Sequence, residues 1–106
     1  MVNGTSALHM ALMLGGVEKN DEVLAPALTF VGTIAPIRYC NAIPHFVDSG
    51  TNNLGVDPEA LSTWLNFSTE KVNGFCINKK TNRRIRAIIP MHTFGHPCDM
   101  DKILQI

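Results

Sequence analysis

What this chain has little of narrows the field first. Nine basic residues balance nine acidic ones, so no long-range field draws the chain to nucleic acid or to an anionic bilayer. Its one basic cluster, Lys79-Lys80 with Arg83, Arg84 and Arg86, has no interleaved aromatics. A solvated hairpin suits that cluster better than a nucleic-acid patch. Cysteine is scarce: Cys40, Cys76 and Cys98 lie far apart, with no C-x-x-C pair. That argues against a zinc or dithiol site and fits reduced thiols. No apolar run reaches the ~18 residues of a membrane span. The run 7–14 carries His9 and has no basic region before it, so it does not read as a signal peptide. Internal repeats, a Walker loop and G-x-G-x-x-G are all missing. Hydrophobic content of 45% against 17% charge is nonetheless a globular composition. The expectation is a soluble, cytoplasmic protein with neither nucleic-acid nor membrane partners.

The pattern along the chain alternates helix and strand. Ser6 to about Gly15 has apolar residues near helical spacing, with Gly15-Gly16 as a stop. Asp21 to Ala25 reads as a short buried strand ended by Pro26. A second helix is expected from about Thr29 to Asn41, beginning late or kinked because Pro36 lies inside it. A strand follows from Ala42 to Val47. Asp57-Pro58-Glu59 opens a third helix, with a capping carboxylate, a proline at the first helical position and an acid at the positive end of the dipole. The stretch 72–86 reads as an inserted β-hairpin about the polar turn Asn78 to Asn82, and 85–90 as a buried strand. Asp99 caps a last helix. Short apolar strands alternating with helices predict an α/β fold with a mainly parallel sheet flanked by helices. The chain opens without a strand before its first helix and ends one turn into its last, which suggests part of a larger domain.

Four stretches can carry chemistry. In "NGTSAL", the small residues Gly4, Thr5 and Ser6 enter a helix whose free N–H groups and dipole favour an anion. An ordinary cap would look the same. In "APALTFVGT", Phe30 follows a strand, at the edge where open α/β sheets bind ligands. It can stack on a planar ring there or belong to the core. Asp48 closes "FVDSG", where a turn is the simpler role than ligand binding. His92 and His96 are four apart, but Gly95 and Pro97 forbid the helix that would make them a metal pair. His92 at a strand end can contact a ligand or serve as a hydrogen-bonded loop residue.

The succession "NGTSALHMAL", "DEVLAPALTFVGTIAPIRYCNAIPHFVD", "LGVDPEAL" and "RAIIPMHTFGHPCDMDKI" resembles the DegT/StrS family of sugar aminotransferases, over nearly the whole chain and in order. The resemblance implies a fragment, residues 1–106, of the large domain of a fold-type I transferase that uses pyridoxal 5′-phosphate. It implies that Gly4, Thr5 and Ser6 hold the cofactor's phosphate, that Phe30 stacks on its pyridine ring and that His92 lies near it. It transfers no catalytic residue and no metal. The family's Schiff-base lysine and its pyridine-pairing aspartate are expected beyond Ile106, and Lys19, Lys71, Lys79, Lys80 and Lys102 match neither. The small C-terminal domain is also outside the chain, so the fragment alone is expected to be inactive. The long connection "NGFCINKKTNRRIRAII" departs from the common pattern and looks like the legionaminic-acid-type branch. That branch acts on UDP-linked 4-keto-6-deoxy-N-acetylhexosamines, which implies amination of the C4 ketone for surface polysaccharide or nonulosonic acid synthesis. The family resemblance implies glutamate as the usual donor and a homodimer for the full protein. The alternative is a truncated, non-catalytic α/β module that binds a phosphorylated ligand.

Overall fold

The computed structural model describes residues 2–51, 53–95 and 97–106. Its elements run α1 (Gly4–Leu14), β1 (Glu22–Pro26), α2 (Val31–Tyr39), β2 (Ile43–Val47), α3 (Pro58–Ser68), β3 (Thr69–Val72), β4 (Phe75–Asn78), β5 (Ile85–Ile88), a 3-10 turn (Thr93–Gly95) and α4 (Met100–Gln105). Strands β2, β1 and β5 form a parallel sheet in that order. The expected α/β architecture is therefore present. All five residues of β1 are buried, as a central strand covered on both faces requires. Alternation along it divides the core. Val23 and Ala25 pack with Leu12, Val17, Ile37 and Ala42 on the side of α1 and α2. Leu24 packs with Val47, Leu61 and Ile103 on the side of α3 and α4. Because the three strands are parallel, the loops carrying Phe30, Asp48 and His92 leave the sheet at one edge.

The helix starts follow local chemistry. The Asp57 carboxylate accepts from the Glu59 and Ala60 N–H groups at 3.0 and 3.3 Å. Asp99 Oδ1 accepts from the Lys102 N–H at 3.2 Å. Both caps match the sequence reading. Helix α2 begins at Val31 and keeps Pro36 inside it, fully buried. Pro44, which brings no N–H to a ladder, sits in β2, one of the two outer strands of the sheet among the described residues.

The hairpin lies elsewhere than expected. Its strands are Thr69–Val72 and Phe75–Asn78, antiparallel, turning at Asn73-Gly74. Both turn residues have positive φ, 52° and 83°, the requirement of a type I′ turn, which Asn-Gly meets best. The polar run 78–82 makes a second, weaker reversal: the Asn82 N–H donates to the Asn78 carbonyl, and a single bridge joins Ile77 to Arg84. A Cβ on Gly74 would meet nothing within 4 Å, so Gly74→Ala costs only backbone strain, ~1–2 kcal/mol. Amide exchange should show protection falling about tenfold across β3 and β4 and unchanged in β1. Unchanged protection in the hairpin would mean that the turn does not hold it.

Nor is the basic cluster simply solvated. Arg84 donates to Asp21 from Nε at 3.0 Å and from Nη2 at 2.6 Å, and from Nη2 to the Gly16 carbonyl at 3.2 Å. The Asp21 hydrogen bond, aided by the nearby Asp21 and Glu18 charges, raises the Arg84 pKa against a lowering by burial. Arg84 also lies over the Phe75 ring, 5.2 Å from its centroid. It thus fastens the β5 entry to the start of β1.

Candidate cofactor site

The first turn of α1 and the loop after β1 meet in an open cavity of about 450 Å³, lined by Gly4, Thr5, Leu8, Phe30, Gly32 and Thr33. Asn3 caps the helix by accepting the Ser6 N–H at 2.8 Å. The Ala7 N–H goes to the Asn3 carbonyl. That leaves the Gly4 and Thr5 N–H groups without an acceptor among the described residues, at the positive end of an eleven-residue helix. Ser6 has spent its N–H on the cap and does not line the cavity; what it has to offer is its hydroxyl.

Phe30 is 71% exposed, so it is not core. It is the N-cap residue of α2, and no side chain caps that helix. Gly32, two residues on, keeps the floor open. A Cβ there would lie 3.1 Å from Phe30 Cδ1 and 3.3 Å from Thr5 Oγ1, filling the space between ring and cradle. The sequence reading missed Gly32 and Thr33. The available signal was a glycine in the first turn of a helix, immediately behind an exposed aromatic and against helix propensity.

His92 does not line the cavity. It lies on the neighbouring loop, after β5, and that loop is tied to the β1 loop: Thr29 Oγ1 is 2.7 Å from Thr33 Oγ1 and 2.8 Å from Met91 Sδ. His92 is exposed, and its Nδ1 accepts the Cys98 N–H at 3.1 Å. The intervening segment is a 3-10 turn; His96 lies outside the described residues. The Asp48 main-chain carbonyl accepts the Asp57 N–H at 3.0 Å, and the residue is exposed. Burial pushes the Cys40 thiol above its ordinary pKa, which argues against a nucleophilic role. No described helix is long and apolar enough to cross a membrane.

Known proteins resemble this chain over nearly its whole length. The GDP-perosamine synthase of Escherichia coli O157:H7 is 36% identical over 98% of this chain and 24% of its own length. A DegT DnrJ EryC1 StrS aminotransferase from Brucella abortus superposes with a TM-score of 0.81 at 28% identity, over 97% of this chain and 25% of that one. The Streptococcus pneumoniae protein Spr1654 in its PLP form does so at 0.69 and 26% identity, over 95% and 22%. The chain thus spans about a quarter of the length of the relatives it matches. The model of the DegT/DnrJ/EryC1/StrS aminotransferase family matches residues 1–106, the whole of the chain, and the chain belongs to that family.

Proposed function

We propose that this chain forms the cofactor-phosphate portion of the large domain of a pyridoxal-phosphate-dependent sugar-nucleotide aminotransferase. The observation that carries the reading is the convergence of an anion-seeking helix start and an exposed aromatic ring on one cavity, with Gly32 between them. These residues fit the group. The Gly4 and Thr5 N–H groups and the Thr5 and Ser6 hydroxyls would hold its phosphate. Phe30 would cover one face of its ring. Bound pyridoxal phosphate supplies an electron sink through which an amino group passes from a donor to a ketone. The chain's own part is to anchor, orient and shield; the lysine and aspartate that the family uses for proton and charge handling would lie beyond Ile106. The whole protein is read as a cytoplasmic homodimer that takes its amino group from glutamate.

For the substrate, the long connection before β5 supports a UDP-linked 4-keto-6-deoxy-N-acetylhexosamine. The relatives' name supports a GDP-linked sugar instead: two GDP-perosamine synthases match at 36% and 34% identity. Amination assays of the full gene product with glutamate and each nucleotide sugar decide between the two.

The cofactor reading is tested by calorimetric titration of that product with pyridoxal 5′-phosphate and with pyridoxal. Phosphate-dependent binding is expected, with Phe30→Ala weakening it by about 2- to 10-fold, the ~0.5–1.5 kcal/mol of an aromatic stack. Equal affinity for pyridoxal, or no effect of Phe30→Ala, would remove the support for this assignment.

A further inference from the structure

One nitrogen of His92 is already committed. A main-chain N–H can only donate, so the 3.1 Å bond from the Cys98 amide requires a lone pair on Nδ1. The neutral ring then carries its proton on Nε2. The Cys98 thiol lies 3.5 Å from the same nitrogen but donates its one proton to Met100 Sδ, also at 3.5 Å, so the main-chain N–H is the donor that sets the tautomer. Cys98 has little room to move. It is 4% exposed, and a Cβ on Gly55 would lie 2.6 Å from its own Cβ. Gly55 is pinned in turn: its N–H donates to Asn53 Oδ1 at 3.0 Å, and its carbonyl accepts the Gly50 N–H at 2.7 Å. Thr93 Oγ1 donates to the Leu54 carbonyl at 3.2 Å, and the Gly95 N–H to the His92 carbonyl at 3.0 Å. Two loops therefore lock the ring's inner nitrogen. Its Nε2 has no partner among the described residues.

We propose that the Cys98 amide, backed by the Gly55 turn, holds His92 as the Nε2–H tautomer, so that the ring offers one hydrogen-bond donor to an acceptor oxygen of the molecule bound at the carboxyl edge of the sheet. The donor half rests on the cofactor reading of that edge; the tautomer half does not. Two bound molecules carry such oxygens, pyridoxal phosphate and the nucleotide sugar, and His92 would help position whichever it meets.

The test uses the full gene product labelled with 15N-histidine, His92 being assigned by loss of its signals in His92→Gln. Long-range 1H–15N spectra distinguish the two neutral tautomers. The free protein should show the Nε2–H pattern, retained in Cys98→Ala, which keeps the main-chain donor, and lost in Gly55→Ala. An Nδ1–H pattern, or an exchange average of the two, would overturn the proposal whatever binds. Pyridoxal 5′-phosphate is then added alone, and GDP or UDP alone. A shift of the Nε2 signal with one of them identifies the source of the oxygen. For that ligand, His92→Ala should bind about fivefold more weakly, while His92→Gln, whose amide can place an N–H near the Nε2 position, stays within about threefold. Binding seen by calorimetry with Nε2 unmoved by any probe would overturn the donor half. No phosphate-dependent binding of pyridoxal 5′-phosphate would overturn the cofactor reading; if GDP and UDP also leave Nε2 unmoved, the donor half falls with it, and the tautomer is judged on the free protein.

Discussion

Glu22→Ala is expected to lower the unfolding free energy by about 2–4 kcal/mol, the largest stability loss of any single substitution considered. Glu22 is 1% exposed at the start of the central strand. Asn78 Nδ2 donates to its Oε1 at 2.9 Å, and the Thr81 hydroxyl donates to its Oε2. His45 Nδ1 lies 3.4 Å from Oε1, and Arg83 Nη1 lies 3.9 Å from Oε2. One carboxylate therefore joins the second reversal after the hairpin to two strands of the sheet. Truncation leaves the Asn78 amide, itself 2% exposed, without its acceptor, and adds a void. The charge matters less than the hydrogen bonds, because Arg83 is distant and its side chain 42% exposed. Glu22→Gln should accordingly cost only about 1 kcal/mol. Denaturant titration of both variants checks this. A loss below about 1 kcal/mol for the alanine variant, or equal losses for the two, would contradict this account of the node.

That node shows where sequence reasoning stops. Asp57 and Asp99 could be recognised as caps because a cap is a local event, complete within three residues. The α/β architecture was legible for a similar reason: each short apolar run and each helix start declares its own period. Glu22 declares nothing. Its partners Asn78 and Thr81 stand 56 and 59 positions away, and before the fold is known it is one acid among nine. The hairpin is a different kind of miss. Its Asn73-Gly74 signal is explicit in the sequence, but the longer polar run at 78–82 looked like the turn. Two residues able to take positive φ decide a tight hairpin, whereas a polar stretch only says that the chain is near water. At the site, the family pattern picked out Gly4, Thr5 and Phe30, which the fold brings to one cavity. Gly32 was passed over because its importance lies in the side chain it lacks.

The cradle assignment makes a sharper prediction at Thr5, because there stability and binding move in opposite directions. Thr5→Glu puts a carboxylate in the first turn of α1, which has no acidic residue of its own. A negative charge at a helix N-terminus is favourable by about 0.3–1 kcal/mol, so the helix and the fold should hold or tighten slightly. The same charge would face the phosphate of pyridoxal phosphate across the cavity that Thr5 lines with Gly4 and Phe30. Two like charges about 4 Å apart at an effective dielectric near 20 repel by roughly 4 kcal/mol. Allowing for solvent in so open a cavity, affinity should fall on the order of 100-fold or more. Calorimetric titration with pyridoxal 5′-phosphate should lose its signal, while circular dichroism and the melting temperature stay at or above wild type. Thr5→Ser, which keeps hydroxyl and N–H, should bind within a few-fold of wild type. A Thr5→Glu protein that folds and still binds the phosphate at near-native strength would place the anion elsewhere, and Gly4, Thr5 and Ser6 would then be no more than the first turn of a helix.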